Sequence, residues 1–237
     1  MRKLTLFIVL SIITLPVFAQ INTLQIAPGA EGQLAALLNK PVMVKTAIAE
    51  PLGSNWFRLE TDTHLFTDQV SVGQVAAILC DVEKFDKYFD GKRSKLTAKI
   101  AGQADGGTIV DYVSIIIAGP FKLNNPYRAL NKVITSTNTV FSVEIKQLSQ
   151  DTATNNKMKN LYATRYAEEV TINGKNYTYI RMYNITDTNA SIIPGAKGIL
   201  ERNAGPTSEE SLNMIFTAAK ERTANLAAAP EQSVTSR

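Results

Sequence analysis

His64 is the only histidine in the sequence, and an aspartate, Asp62, lies two residues before it. Residues two apart on a β-strand share a face, so a carboxylate and an imidazole at this spacing could act as an acid–base pair. The surrounding segment alternates between apolar and polar residues, and both side chains fall on its polar face. We therefore expect the pair to lie on the surface, where a histidine is more often solvated than catalytic.

Cys80 is the only cysteine, so no disulfide can form within the chain. It follows Leu79 in an apolar segment of helical periodicity, and we expect a buried, unreactive thiol there. One histidine and one cysteine exclude the metal sites that need pairs of these ligands. The sequence also lacks a phosphate-binding glycine loop and the GxSxG, HExxH and CxxC motifs. These observations predict no catalytic residue, no metal and no cofactor, and they favour a binding protein over an enzyme.

The first nineteen residues have the three parts of a secretion signal. Two basic residues precede an uncharged apolar stretch from Leu4 to Leu15, and the small residues of Val17-Phe18-Ala19 follow a proline. The stretch is shorter than the roughly 20 apolar residues that span a bilayer. We expect cleavage after Ala19 and export, with a retained membrane anchor as the alternative. The missing disulfides favour a bacterial periplasm as the location, and a secreted protein stays open.

The rest of the chain is rich in strand patterns. Residues 20–54 look like an N-terminal extension with a helix over 31–39. Alternation from Trp56 to Thr67 predicts a first strand, and helical spacing predicts two short helices between Ser71 and Phe89. Turn residues such as Asn173-Gly174 indicate hairpins. Further strands are expected over residues 95–103, 108–118, 128–137, 140–148, 161–172 and 177–187, with loops over 119–127 and 192–198.

A long amphipathic helix is expected over Ser208–Ala228. Thr207 and Glu210 have the spacing of a capping box, which places the start of the helix beside them. Residues 55–229 would then form one domain, and residues 230–237 a polar, disordered tail.

The order of these elements resembles the helix-grip fold of the START, polyketide-cyclase and birch-pollen-allergen superfamily. The segments that carry the resemblance are Phe57 to Phe66, Ser71 to Phe89 (SVGQVAAILCDVEKFDKYF), Gly106 to Phe121 (GGTIVDYVSIIIAGPF) and Thr207 to Arg222 (TSEESLNMIFTAAKER). The resemblance covers residues 55–229 and implies an α+β fold. In that fold a curved, seven-stranded antiparallel sheet wraps around the long C-terminal helix, with two short helices after the first strand.

Such a sheet leaves a cavity against the helix, and members of this superfamily commonly hold lipids, sterols or polyketides there. The resemblance therefore implies that the chain binds, and could transport, a hydrophobic small molecule or lipid. An arginine inside the cavity would be costly unless paired, so Arg165 or Arg181 could anchor a polar head group, with exposure on the strand as the alternative. The residues expected to contact the ligand are Tyr112, Ile116, Phe141, Tyr162, Tyr166, Arg181, Met182 and Phe216.

Two other functions stay open, namely a cyclase- or hydrolase-like enzyme of the same fold and a partner-binding envelope protein. A basic cluster of Lys92, Arg93, Lys95 and Lys99 could touch an acidic membrane transiently, although nearby acidic residues also fit a solvated mixed-charge surface. A formal net charge of +4 without a concentrated basic face argues against nucleic acid as a partner. The apolar loops over 119–127 and 192–195 are candidate lids.

Overall fold

The computed structural model describes residues 30–53, 55–149, 158–191 and 193–228. The expected secretion signal, the polar tail and Ile192 of one candidate lid lie outside these ranges and stay predictions. No helix within the described ranges has the length and hydrophobicity that crossing a bilayer requires.

The described ranges contain four α-helices and eight strands. The helices are α1 (Ala30–Leu37), α2 (Val72–Cys80), α3 (Phe85–Tyr88) and α4 (Ala196–Ala228), and a 3-10 turn (Val82–Lys84) joins α2 to α3. The strands are β1 (Val42–Pro51), β2 (Trp56–Thr67), β3 (Ser94–Ala104), β4 (Gly107–Ala118), β5 (Phe121–Ser136), β6 (Val140–Ser149), β7 (Met158–Ile172) and β8 (Lys175–Asn189).

The strands of the described ranges form one antiparallel sheet in the order β1-β2-β8-β7-β6-β5-β4-β3. From β3 to β8 each strand pairs with the next one in the sequence. Strand β8 also pairs with β2, along the whole length of β2. Asn173 and Gly174 adopt the positive φ angles that their short hairpin turn requires. The expected α+β helix-grip architecture is confirmed. The sheet has an eighth strand, because β1, from the segment read as an extension, pairs with the edge of β2.

Helix α2 begins at the predicted residue. The Ser71 hydroxyl accepts the Gln74 backbone N–H, and the Gln74 side chain accepts the Ser71 N–H, which completes a capping box. Ile78 and Leu79 are buried on the inner face of the helix. Cys80 is exposed, so the prediction of a buried thiol is wrong. The helix turns by about 100° per residue, which carries Cys80 out of the buried face.

Helix α4 begins at Ala196, well before the expected start at Ser208, and it contains Pro206. A proline removes one helical hydrogen bond and usually marks a boundary, which is why the sequence pattern misplaces the start. Packing overrides this preference, because Leu200 in the first part of α4 is buried in the same apolar cluster as Leu123 of β5.

The capping box expected at Thr207 is wrong because Glu210 has other partners. Its carboxylate accepts the backbone N–H groups of residues 92–94 at 3.0, 2.8 and 3.1 Å. The adjacent Glu209 accepts the backbone N–H of Met43 in β1 at 2.9 Å. Since β1 and β3 are the edge strands, two neighbouring glutamates tie one turn of α4 to both edges of the sheet.

Strand β5 begins at Phe121, so most of the loop expected over 119–127 is strand. Proline cannot donate a ladder hydrogen bond and usually interrupts a strand, yet Pro126 lies within β5. The neighbouring side chains of Leu123 and Tyr127 are buried, and this burial holds the segment in the sheet. A lid over 119–127 is therefore a wrong prediction.

Two clusters of buried apolar side chains form the core. The larger cluster joins α2, α3 and the later turns of α4, including Leu212 and Ile215, to the middle of the sheet. The smaller cluster surrounds Leu123 and Leu200 near the start of α4. Residues of both clusters line one cavity, which is the candidate site.

Candidate ligand-binding cavity

A cavity of about 220 Å³ lies between α4 and the sheet. Pockets for drug-sized ligands usually hold roughly 300–1,000 Å³, so this cavity suits one compact ligand. Its wall is mostly apolar, with side chains from α2, α3 and several strands. The apolar wall includes Leu79, Phe85, Phe89, Leu96, Val143 and Ile145.

Two basic side chains line the cavity, and they differ in their partners. Lys95 forms an ion pair with Asp90. Arg165 forms no ion pair with any carboxylate of the described residues; its hydrogen bonds go to neutral groups. On the same face of β7, its neighbours Ala163 and Ala167 are small and buried, which leaves room for the long side chain. Arg165 is therefore a positive charge without a counter-charge in the cavity wall.

Neutral groups of β7 and β8 hold the Arg165 side chain in place. Nη1 donates to the carbonyl oxygens of Thr164 at 3.0 Å and Tyr183 at 3.1 Å, and Nη2 donates to Oδ1 of Asn184 at 2.8 Å. Burial lowers the pKa of Arg165 to about 10. The guanidinium still stays charged at neutral pH, but it is poorly solvated.

Two tyrosines lie near this charge, on adjacent strands. The rings of Tyr112 and Tyr127 stack with their centres 4.9 Å apart. Burial raises the pKa of Tyr112 to about 12 and that of Tyr127 further, so both hydroxyls keep their protons at neutral pH. Asn131 donates to the Tyr112 hydroxyl. The Tyr127 hydroxyl has no hydrogen-bond partner among the described residues, so it can donate to a ligand.

Hydroxyl groups line the α4 side of the cavity. Ser208 forms hydrogen bonds with Thr63 at 2.6 Å and Thr61 at 3.3 Å, and Ser94 lies 3.3 Å from the Ser211 hydroxyl. In the described part of the chain, the buried side-chain oxygens of Thr207 and Asn131 have no partner. Buried polar atoms are normally hydrogen-bonded, so a ligand or water in the cavity would satisfy these two.

Three of the eight predicted ligand contacts line the cavity. They are Tyr112, Ile116 and Met182. Tyr112 and Ile116 are four residues apart in β4 and therefore lie on the same face of that strand. Met182 comes from β8, so the tertiary structure brings the three side chains together.

The other five predicted contacts are not among the residues that line the cavity. Phe141 and Phe216 are buried in the larger core cluster instead. Tyr162 and Tyr166 alternate with Ala163 and Arg165 along β7 and therefore point to the opposite face of the sheet. Arg181 precedes Met182 in β8, so these two side chains cannot face the same side.

The sequence analysis did not identify Tyr127 and Asn131 as cavity residues. It considered Arg165 as an anchor for a head group but included only Arg181 among the expected ligand contacts. Tyr127 fell in an expected loop, where no face could be assigned. For Arg165 the available signal was the pair of alanines at positions 163 and 167, since small residues on one strand face make room for a long side chain. That signal is weak, because alanine is also common on exposed strands.

Asp62 and His64 do form a pair, but the prediction that they lie on the surface is wrong. His64 is 3% exposed and Asp62 is 8% exposed. Nε2 of His64 lies 2.9 Å from Oδ1 of Asp62, and Nδ1 lies 2.9 Å from the Tyr179 hydroxyl. Arg181 donates to both Asp62 oxygens, at 2.8 and 2.7 Å. The centre of the Phe66 ring lies 5.0 Å from that of Tyr179, so an aromatic pair lies beside this polar cluster.

The cluster lies on the face of β2 away from the cavity. Leu59 and Thr61, which alternate with the cluster residues, line the cavity instead. His64 therefore does not reach a ligand bound in the cavity, and the cluster contributes to the stability of the sheet.

The Asp62 cluster predicts a specific loss of stability in acid. Burial alone raises the pKa of Asp62, but hydrogen bonds from His64 and Arg181 outweigh burial and lower it from 3.8 to about 2. A carboxylate with a lowered pKa in the folded state increases the free energy of unfolding, and this contribution is fully present above about pH 4. As the pH falls towards 2, the protein loses this contribution, which is about 2 kcal/mol. Urea unfolding across this range should show the loss in the wild type, and the difference between wild type and Asp62→Asn should shrink as the pH falls. A difference that stays constant with pH would contradict the assignment.

No protein-family model matches the sequence, and no curated protein matches it. Solved structures with a similar fold include human STARD10, with 10% identity, a TM-score of 0.51 and 78% of each chain covered. The Zhui aromatase/cyclase from Streptomyces sp. R1128 has 11% identity and a TM-score of 0.48 over 70% of this chain and 96% of its own. A START superfamily protein from Mycobacterium smegmatis has 10% identity and a TM-score of 0.45 over 70% of this chain and 98% of its own. Identities this low establish a fold rather than an activity, and the fold of this chain is the START-like helix-grip fold.

Proposed function

We propose that the chain binds a hydrophobic small molecule or lipid in this cavity, without converting it, and carries it outside the cytoplasm. The supporting observation is the apolar cavity between α4 and the sheet. Protein interiors are normally close-packed, so an apolar cavity of this size favours a ligand site. His64, the sequence's only histidine, lies on the opposite face of the sheet, which favours binding over acid–base conversion.

Native mass spectrometry of the full chain expressed in a bacterial host tests both parts of this proposal. We expect the protein in the periplasmic fraction, with Gln20 as its first residue and with a hydrophobic molecule bound in stoichiometric amount. Solvent extraction would then identify the class of the ligand. An intact N-terminus in the cytoplasm would contradict export. A ligand-free mass that does not change on adding apolar molecules would contradict binding, and a chemically altered ligand would favour the enzyme alternative.

A further inference from the structure

Two of the N–H donors of Arg165 have no partner among the described residues. Of the five N–H donors of an arginine, the two on Nη1 face Thr164 and Tyr183, and one on Nη2 faces Asn184. Within the described ranges, the N–H on Nε and the second N–H on Nη2 have no partner. Nε and Nη2 are neighbours on one edge of the planar group, and Arg165 lines the cavity, so this edge has donors left for a ligand.

Three other arginines of the described chain show what this edge binds. In each of them, Nε and Nη2 donate to the two oxygens of one aspartate across the sheet, at 2.6–3.1 Å. The pairs are Arg58 with Asp187, Arg128 with Asp111, and Arg181 with Asp62. Among the described residues, Nε of Arg165 makes no hydrogen bond and Nη2 makes one, to Asn184, and no aspartate pairs with this edge. The residue lines the cavity instead. The partner missing from this pattern is a carboxylate.

We propose that the cavity selects a compact hydrophobic carboxylate, and that the Nε–Nη2 edge of Arg165 binds its carboxylate group. This inference rests on the proposed function, because it specifies the ligand of the same cavity. The Tyr127 hydroxyl, which lacks a partner in the described chain, is a further donor for the bound anion. The apolar remainder of the ligand lies against side chains such as Leu79, Val143 and Ile145.

Discrimination between acids and neutral analogues follows from the partial burial of Arg165. A neutral ligand would remove water from the guanidinium and give no negative charge in return, which is costly for a buried charge. A carboxylate replaces the lost water with two charge-assisted hydrogen bonds. A site that contains an unpaired charged donor therefore disfavours analogues that cannot pair with it.

The test compares ligands that differ only in the head group. The affinities of decanoate, decanol and decyl phosphate are measured at neutral pH by displacement of the neutral fluorescent probe N-phenylnaphthylamine. We expect decanoate to bind roughly 10- to 100-fold more tightly than decanol. Equal affinities for decanoate and decanol would overturn the inference, and tighter binding of decyl phosphate would overturn the carboxylate assignment. Failure of the probe and of all three ligands to bind would instead contradict the proposed function.

Variants then locate the selectivity. Arg165→Met should weaken decanoate binding by roughly 10- to 100-fold. Decanol should bind the variant more tightly than the wild type, because the cost of removing water from the guanidinium is gone. Arg165→Lys keeps the charge but loses the two-pronged edge, so it should give an intermediate affinity. Arg128→Met is the matched control, since Arg128 is an exposed arginine whose edge is occupied by Asp111. Arg165→Met with undiminished selectivity would overturn the inference. If that variant does not fold by circular dichroism, Arg165→Lys and the wild-type comparison decide.

Discussion

Replacing Ala204 with tryptophan is expected to weaken ligand binding by at least tenfold, on the order of 1.4 kcal/mol or more. Ala204 lies in α4 and lines the cavity, so an indole ring at this position would occupy the space of the ligand. Overpacking of an interior usually costs about 1–3 kcal/mol, but the cavity can accommodate part of the added volume. The variant should therefore stay folded. Displacement of N-phenylnaphthylamine measures the affinity, and thermal unfolding measures the stability.

Asn213→Trp is the matched control for this experiment. Asn213 also lies in α4, but its side chain is exposed and does not line the cavity. A tryptophan there adds the same ring to the same helix, so we expect unchanged binding. If both variants bind the probe as well as the wild type does, the cavity against α4 is not the binding site.

Replacing Asp62 with asparagine is expected to lower the free energy of unfolding by about 3 kcal/mol at neutral pH. The substitution keeps the size of the side chain but removes the negative charge of the carboxylate. In the wild type this carboxylate pairs with Arg181 and accepts a hydrogen bond from His64. Only 11% of the Asp62 side chain is exposed, so water cannot replace the lost partner of Arg181. Removing one member of a buried ion pair is costly because it leaves the other charge uncompensated. Urea unfolding at neutral pH measures the change.

The pair of Arg128 and Asp111 provides the control, because it has the same two-pronged geometry in an exposed setting. About half of each side chain is exposed, at 49% and 45%. Solvent screens such a pair, so Asp111→Asn should cost less than about 1 kcal/mol. Similar losses in the two variants would show that burial does not set the contribution of the Asp62 cluster.

The features that sequence analysis predicted correctly depend on interactions over a few residues. Ser71, the first residue of the predicted helical segment, caps the start of α2, and the left-handed turn at Asn173-Gly174 joins β7 to β8. Each involves neighbours in the chain, so the residue types alone indicate the structure. The order of such elements was sufficient to indicate the helix-grip fold.

The errors occur where distant contacts override a local preference. Pro206 and Pro126 each predict an interruption, yet the first lies within α4 and the second within β5. Burial of Leu200 and Leu123, which pack in the same cluster, offsets the lost backbone hydrogen bonds. The residues around each proline do not indicate this burial, because Leu123 and Leu200 are about eighty residues apart in the sequence.

The sequence by itself determined the order of helices and strands from β2 to α4, the fold class and the alternation of side chains along those strands. Only the tertiary structure decided which face of each strand meets α4, and therefore that Arg165 lines the cavity while Arg181 pairs with Asp62. The physical reason is that alternation relates residues within one strand, whereas a helix covers one face of the sheet through contacts between distant segments. In β7 and β8 both faces carry buried and polar side chains, so the pattern contains no signal that distinguishes the covered face from the other.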